Sequence, residues 1–142
     1  MTQEYRLKTD DIILSEGGEV GKTCIWNNEL PECYIQNSAH KVTISSSCIP
    51  HYYLYLLNNI GHKGVFNAIV NRVSIGHLTK NKLSNILILL PSKKEQQAIV
   101  NYIDKNNQKI NKAIDLQQQQ ITKLQEYKAT LIDSVVTGKV RV

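Results

Sequence analysis

The sequence is poor in the residues that build disulfide frameworks, metal sites and membrane spans. Its 142 residues include only three cysteines and three prolines. Cys24, Cys33 and Cys48 are odd in number and form no Cys-x-x-Cys pair, which argues against disulfides and zinc. No apolar run approaches the roughly 20 residues that a membrane span needs, and residues 1–11 are too polar for a secretory signal. We therefore expect a cytoplasmic protein with one small domain, an appendage and no membrane partner.

Carboxylates are missing from the middle of the chain. Residues 33–94 contain no Asp or Glu, seven Lys or Arg and all four histidines, which gives this segment a charge of +7. Residues 1–32 carry −4, residues 95–142 carry +2, and the whole chain carries +5. Solubility alone favours mixed signs, so a one-signed segment of this length indicates a polyanion partner.

One short stretch resembles a phosphate-binding loop. Residues 15–26 read SEGGEVGKTCIW. A Walker A loop needs a glycine five positions before the glycine of Gly-Lys-Thr, but that position holds Glu16, whose charge would repel phosphate. We therefore predict no nucleotide and no cofactor. Gly17 and Gly18 are interpreted as the turn of a β-hairpin, where glycine supplies a positive φ and lets the backbone approach a neighbouring molecule.

The chain up to Pro91 alternates short β-type runs with turn signals. The expected strands are residues 11–15, 20–26, 41–45 and 84–90. One helix interrupts them, with Ser47 as its expected cap, Pro50 near its first turn and Gly61 as its expected end. Three tyrosines on this helix could stack on bases, but their spacing beside leucines favours the core. They are Tyr52, Tyr53 and Tyr55.

After Pro91 the composition becomes helical. Ser92 and Glu95 have the spacing of a capping box, which predicts a helix start. We expect a break at residues 106–107 and then a second helical segment to Val136, about 29 residues and roughly 44 Å long, which should project as an arm.

The second helical segment carries an interrupted heptad pattern. The d positions are Ile110, Gln117, Leu124 and Leu131, and the a positions are Ile114, Ile121, Lys128 and Val135. The apolar members of this seam predict an interface with a partner helix. The two polar members weaken the pairing and help to fix its register.

Three stretches together resemble the specificity subunit of type I restriction-modification systems. They are LKTDDIILSEGGEVGKTCIW at 7–26, LPSKKEQQAIVNYID at 90–104 and LQQQQITKLQEYKATLIDSVVTGKVRV at 116–142. The first is similar to the family's strand, glycine turn and return strand. The second is similar to its Pro-x-x-x-Glu-Gln segment, and the third to its helical arm with the closing Val-Thr-Gly-Lys-Val. The ordered combination is specific, whereas each piece alone is weak.

The resemblance implies a non-catalytic protein that selects a sequence in double-stranded DNA. In that family each recognition domain reads one half of a bipartite site, and paired helical arms set the distance between the halves. The arms dock the methyltransferase subunits, and a restriction subunit completes a site-specific deoxyribonuclease and methyltransferase. The implied fold is α+β. A small β-rich target recognition domain with one helix is expected at 1–91, and a capped helix with a long coiled-coil helix at 92–142.

The chain has room for half of what the family contains. Full-length members have two recognition domains and two helical regions, and their recognition domains have further strands before the part that resembles residues 5–26. We therefore expect a fragment, a silent cassette or a half-size subunit. Its arm would pair with the same arm of a second copy, running antiparallel, to form a homodimer.

Basic residues in loop-rich sequence are the candidate DNA contacts. They are Lys22, Lys41, Lys63, Arg72, Lys80 and Lys82. Arg72 is the candidate for base readout, because arginine forms the bidentate pair with guanine better than lysine does. The lysines are assigned to phosphates. A competing hypothesis is a helical docking scaffold with a vestigial recognition domain, although a scaffold gives no reason for a carboxylate-free segment.

Metal and nucleophile sites are disfavoured by spacing. The four histidines, at positions 40, 51, 62 and 77, lack the short spacings of metal pairs, so no metal is expected. Ser45–Ser47 lie near His51, but no Gly-x-Ser-x-Gly motif and no orienting carboxylate accompany them, so no catalytic residue is expected.

Overall fold

The computed structural model describes residues 3–70 and 77–141, so Arg72 lies outside the described residues. The chain divides into two compact units, Met1–Val100 and Asn101–Val142. Strands and helices both occur, which confirms the predicted α+β class. In the described ranges, no helix is long and apolar enough to span a bilayer.

The regular elements follow one another with the strands first. A 3-10 turn at Gln3–Tyr5 precedes strands β1 (Ile12–Ser15), β2 (Thr23–Ile25) and β3 (Ala39–Val42). The helices are α1 (Pro50–His62), α2 (Val65–Ile69), α3 (Lys80–Ser84) and α4 (Lys93–Val136).

The strands form an antiparallel sheet with the order β2-β1-β3, which confirms the predicted hairpin between the first two. Ile12 lies opposite Ile25 on one side and Val42 on the other. Ile12 and Leu14 are fully buried, whereas the alternate positions on β1 are only partly buried. The period of two therefore places one face of the central strand in the core, where each large aliphatic side chain contributes about 1.5–3 kcal/mol.

Helices α1 and α2 complete the core over this face. Tyr52, Tyr53 and Leu57 of α1 are buried, as are Phe66 of α2 and Leu78 of the following segment. Burial of two tyrosines confirms that the helix uses them for packing. Desolvation, together with a hydrogen bond to the thiol of Cys48, raises the pKa of Tyr53 to about 12.

Two expectations about the ends of α1 are wrong. The residue before the helix is Ile49, which has an extended backbone and no side-chain capping bond, so Ser47 is not the cap. The helix also continues through Gly61 to His62. Gly64, with a left-handed φ of 73° that glycine adopts without steric cost, separates α1 from α2.

Helix α4 begins as the sequence predicts but continues without the expected break. The Ser92 hydroxyl accepts from the backbone N–H of Glu95 at 3.3 Å, and the Glu95 carboxylate accepts from the N–H of Ser92 at 2.9 Å, so the capping box is confirmed. The side-chain hydrogen bond from Ser92 lowers the pKa of Glu95. Asn106 donates its amide to the carbonyl oxygen of Tyr102 one turn earlier, an arrangement compatible with an unbroken helix.

The predicted strand at residues 84–90 is wrong. Lys80–Ser84 is helix α3, and the residues that follow it form no strand. Leu87, Leu89 and Leu90 are 98%, 78% and 68% exposed. A β-type run becomes a strand only when a neighbouring edge pairs with it, and no described strand does so. The third strand is also shifted, to Ala39–Val42 from the predicted 41–45.

Candidate nucleic-acid interface

The β1–β2 turn is closed by backbone hydrogen bonds on both sides of its glycines. Ser15 N–H donates to the carbonyl oxygen of Lys22 at 2.9 Å, and Gly21 N–H donates to that of Ser15 at 3.0 Å. Gly18 has a φ of 68° and Gly21 a φ of 82°. The sequence did not indicate that position 21 must be glycine. A side chain there would collide with Phe66, a residue far along the chain.

Lys22 lies at the end of this turn with an exposed ion-pair partner. Its Nζ is 2.6 Å from Oε2 of Glu19, and the two side chains are 74% and 77% exposed. The hydrogen bond between them raises the pKa of Lys22 and lowers the pKa of Glu19. An ion pair this exposed is strongly screened by water and salt, so it holds the lysine only weakly. Because β2 begins immediately after Lys22, the turn leads into a strand, whereas a Walker A loop leads into a helix.

Lys41 of β3 is bound within the protein. Its half-buried side chain donates to the carbonyl oxygens of Glu4 and Arg6, the second at 3.1 Å. The backbone of Arg6 is itself held by an isolated antiparallel bridge to Tyr34. These bonds hold the N-terminal turn against the sheet. Lys41 therefore stabilises the fold, a role that the sequence did not indicate.

Among the described residues, Lys63, Lys80 and Lys82 have no such partners for their ammonium groups. Lys63 follows the last residue of α1, and the other two lie on α3. Within the part of the chain that the structure describes, no carboxylate lies within 4.0 Å of their ammonium groups. Lys63 and Lys80 are exposed and Lys82 is partly buried. Three positive charges without counter-charges are therefore available to an anionic ligand.

A cavity of about 860 Å³ brings two of the candidate lysines to one concave surface. Lys41 and Lys80 both line it, whereas Lys22, Lys63 and Lys82 do not. Its walls come from β3 and from the segment around α3, and Tyr53 and Leu57 contribute to its lining.

The histidines make local contacts. The Nε2 atom of His40 is hydrogen-bonded to the carbonyl oxygen of Leu78, and Nδ1 of His77 lies 3.9 Å from Oε1 of Glu16. Among the described residues, no three His, Cys, Asp or Glu side chains converge on one point.

The apolar seam of α4 is exposed within the second unit. Its members are Ile110, Ile114, Ile121, Leu124, Leu131 and Val135, whose exposed fractions range from 36% to 67%. At 3.6 residues per turn these side chains fall within an arc of about 100°. Ile132, 54% exposed, lies on the same arc, although the heptad reading omits it. A stripe of this size has the form of a helix-pairing surface.

One comparison with known proteins identifies a family, and a second finds a similar fold. The family model for the type I restriction modification DNA specificity domain matches residues 1–126. A solved chain from work on complex assembly and conformational transition of the type I R-M system is 22% identical, with a TM-score of 0.77. The match covers 92% of this chain and 31% of that chain, so the present sequence spans less than a third of its length. A search of curated proteins found no match.

Proposed function

The chain belongs to the family of type I restriction-modification DNA specificity domains, and from this premise we propose that it reads one half of a bipartite DNA site. It works as a non-catalytic subunit. Residues 1–91 form the target recognition domain, and residues 92–142 form the helical region. It acts in the cytoplasm, where it binds DNA and its partner subunits.

The observation that carries the proposal is the set of lysines without counter-charges. Lys63, Lys80 and Lys82 lie in a segment of 62 residues that contains no carboxylate. A carboxylate beside a solvated surface lysine has no cost. A carboxylate beside a lysine that binds phosphate would compete with the DNA, so a DNA-binding surface favours the absence of carboxylates.

The candidate lysines contribute unequally. Lys22 can exchange Glu19 for a phosphate at little cost, since the existing pair is screened by solvent. Lys41 is the weakest candidate, because a phosphate would have to displace two carbonyl oxygens from its ammonium group. Arg72, outside the described residues, is proposed to read a base, and the lysines position the domain on the backbone. Gly17 and Gly18 carry no side chain, so DNA can approach the backbone at this point, whereas the carboxylates of Glu16 and Glu19 flank it on both sides.

The seam on α4 supports a second part of the proposal. We assign its six apolar residues to pairing with another long helix, most simply the same helix of a second copy. The helical region then docks the methyltransferase subunit, and the restriction subunit joins the complete complex. The likeness to a chain solved in work on type I complex assembly supports this assignment at the level of the fold.

A docking scaffold that no longer reads DNA is the competing function. The exposed seam of α4 favours it as strongly as it favours the first proposal. The two differ in the role of the carboxylate-free segment, which a scaffold does not need.

Selection from a random library of duplex DNA tests the proposal. The chain is combined with the methyltransferase subunit of the same system, and bound duplexes are recovered and sequenced. DNA recognition predicts enrichment of two short motifs with a fixed spacer. A complex that assembles but enriches no sequence would reject DNA reading and leave the scaffold.

A further inference from the structure

Gln96 is a polar side chain buried in the first turn of α4, with 1% of its surface exposed. Its Oε1 accepts from the backbone N–H of Ile49 at 2.9 Å, and its Nε2 donates to the carbonyl oxygen of Pro91 at 2.9 Å. All three residues belong to the unit Met1–Val100. An N–H needs an acceptor and a carbonyl needs a donor, so only one orientation of the amide satisfies both contacts.

The bond to Ile49 replaces one that α1 cannot make for itself. In a capping box, the third residue of the helix reaches back to the N–H of the capping residue. Ile49 is the capping residue of α1, and the third helical residue is Tyr52, which has no carboxylate or amide for this purpose. Gln96 supplies the acceptor from a different helix.

A second bond from the same turn of α4 reaches the same loop. Nζ of Lys93 donates to the carbonyl oxygen of Ser46 at 2.7 Å. Lys93 and Gln96 are three residues apart and share one side of the helix. The loop that leads from β3 into α1 is therefore held at two points by the first residues of α4, which the capping box of Ser92 and Glu95 keeps helical.

We propose that Gln96 is a positioning residue for DNA recognition, which fixes the start of α1 and, through that helix, the position of Lys63. α1 has 13 residues and a length of about 20 Å, and Lys63 follows its last residue. The step from α1 to DNA rests on the proposed function, whereas the step from Gln96 to α1 does not. The essential property of Gln96 is that it accepts and donates a hydrogen bond at the same time.

Gln96→Glu tests this property, because a carboxylate can accept from Ile49 but cannot donate to Pro91. The second carboxylate oxygen would face the Pro91 carbonyl oxygen in a buried site. Burial and the repulsion between these two oxygens both raise the pKa of the introduced carboxyl. A raised folded-state pKa stabilises the protein below the unfolded pKa of about 4.3, and this stability is lost as the pH rises. Gln97→Glu is the matched control, since it introduces the same charge at an exposed neighbouring position.

Two measurements on the full chain are required. In urea unfolding, Gln96→Glu should match Gln97→Glu near pH 4 and have a lower midpoint at pH 7. At pH 7 repulsion from the Pro91 carbonyl oxygen should displace the introduced carboxylate and weaken its hydrogen bond to Ile49. The amide hydrogen of Ile49 should then exchange about tenfold faster in Gln96→Glu than in the control, equivalent to about 1.4 kcal/mol. Equal midpoints at both pH values, with equal exchange at Ile49, would overturn the assignment.

The link to recognition is measured separately, on the complex with the methyltransferase subunit. Gln96→Glu should weaken DNA binding at pH 7 relative to Gln97→Glu, and Lys63→Gln should weaken it less in the Gln96→Glu background than in wild type. Additive effects would overturn the positioning role. If the wild-type complex binds no DNA, the proposed function fails, whereas the exchange experiment still decides what Gln96 does.

Discussion

The ring of Phe66 lies where a side chain at position 21 would have to be. A Cβ added to Gly21 would be 2.1 Å from Cδ2 of Phe66, a distance at which two carbon atoms cannot coexist. Gly21 also has a φ of 82°, which is costly for any other residue. The glycine that makes the turn resemble a phosphate loop is thus required by packing against α2.

This contact predicts a large loss of stability for Gly21→Ala. Left-handed backbone strain of about 1–2 kcal/mol adds to an overpacking cost of about 1–3 kcal/mol. Gly18→Ala is the control, since Gly18 has the same backbone strain, at a φ of 68°, but nothing within 4 Å of its added Cβ. Urea unfolding should give the larger loss at position 21. Equal losses at the two positions would show that the Phe66 ring moves aside at no cost in stability.

Replacing Lys63, Lys80 and Lys82 together by Gln should flatten the salt dependence of DNA binding. Each lost phosphate contact lowers the slope of log K against log salt by about 0.9, so the triple variant should lose up to about 2.7. A matched control replaces Lys105, Lys109 and Lys112, which removes the same charge from the other unit. Fluorescence anisotropy on a labelled duplex at several salt concentrations measures the slope. Identical slopes for the two triple variants would count against these phosphate contacts.

Arg72→Ala should change discrimination between sequences, unlike the lysine changes. Loss of a bidentate contact to guanine reduces the preference for the cognate site by about 1–3 kcal/mol. The measurement is the ratio of affinities for the selected site and for the same site with one guanine replaced. A uniform loss of affinity for both duplexes would assign Arg72 to the backbone.

Ile121→Asp combined with Leu124→Asp should convert an oligomer into a monomer, because two charges would have to be buried in the seam. Gln119→Asp with Thr122→Asp adds the same charge on the opposite side of the helix and should leave the oligomer intact. Sedimentation equilibrium distinguishes the two outcomes. A wild-type chain that is monomeric at the highest attainable concentration would contradict self-pairing.

ATP should not bind, despite the sequence Gly21-Lys22-Thr23. Glu16 occupies the place of the first glycine, and the residues after Lys22 pair as a strand with β1. Isothermal calorimetry with magnesium and ATP is expected to give no heat of binding. Micromolar affinity that disappears in Lys22→Ala would refute this prediction.

Local sequence patterns were sufficient to predict those elements whose structure depends on residues close together in the chain. The hairpin follows from glycines between two apolar runs, and the start of α4 follows from Ser92 and Glu95, whose reciprocal capping bonds join residues three apart in the chain. The expected break at Asn106 failed because asparagine lowers helix stability by less than about 1 kcal/mol, which a long helix tolerates.

Contacts between distant residues decided the rest. The sequence alone determined the α+β class, the family and the carboxylate-free segment, since composition and local pattern carry these. Only the tertiary structure placed Gly21 against Phe66, fastened Lys41 to Arg6 and bound Gln96 to Ile49. A lysine or glycine can either stabilise the fold or contact a ligand. Its role depends on which distant atoms lie within contact distance, and a local sequence pattern does not contain this information.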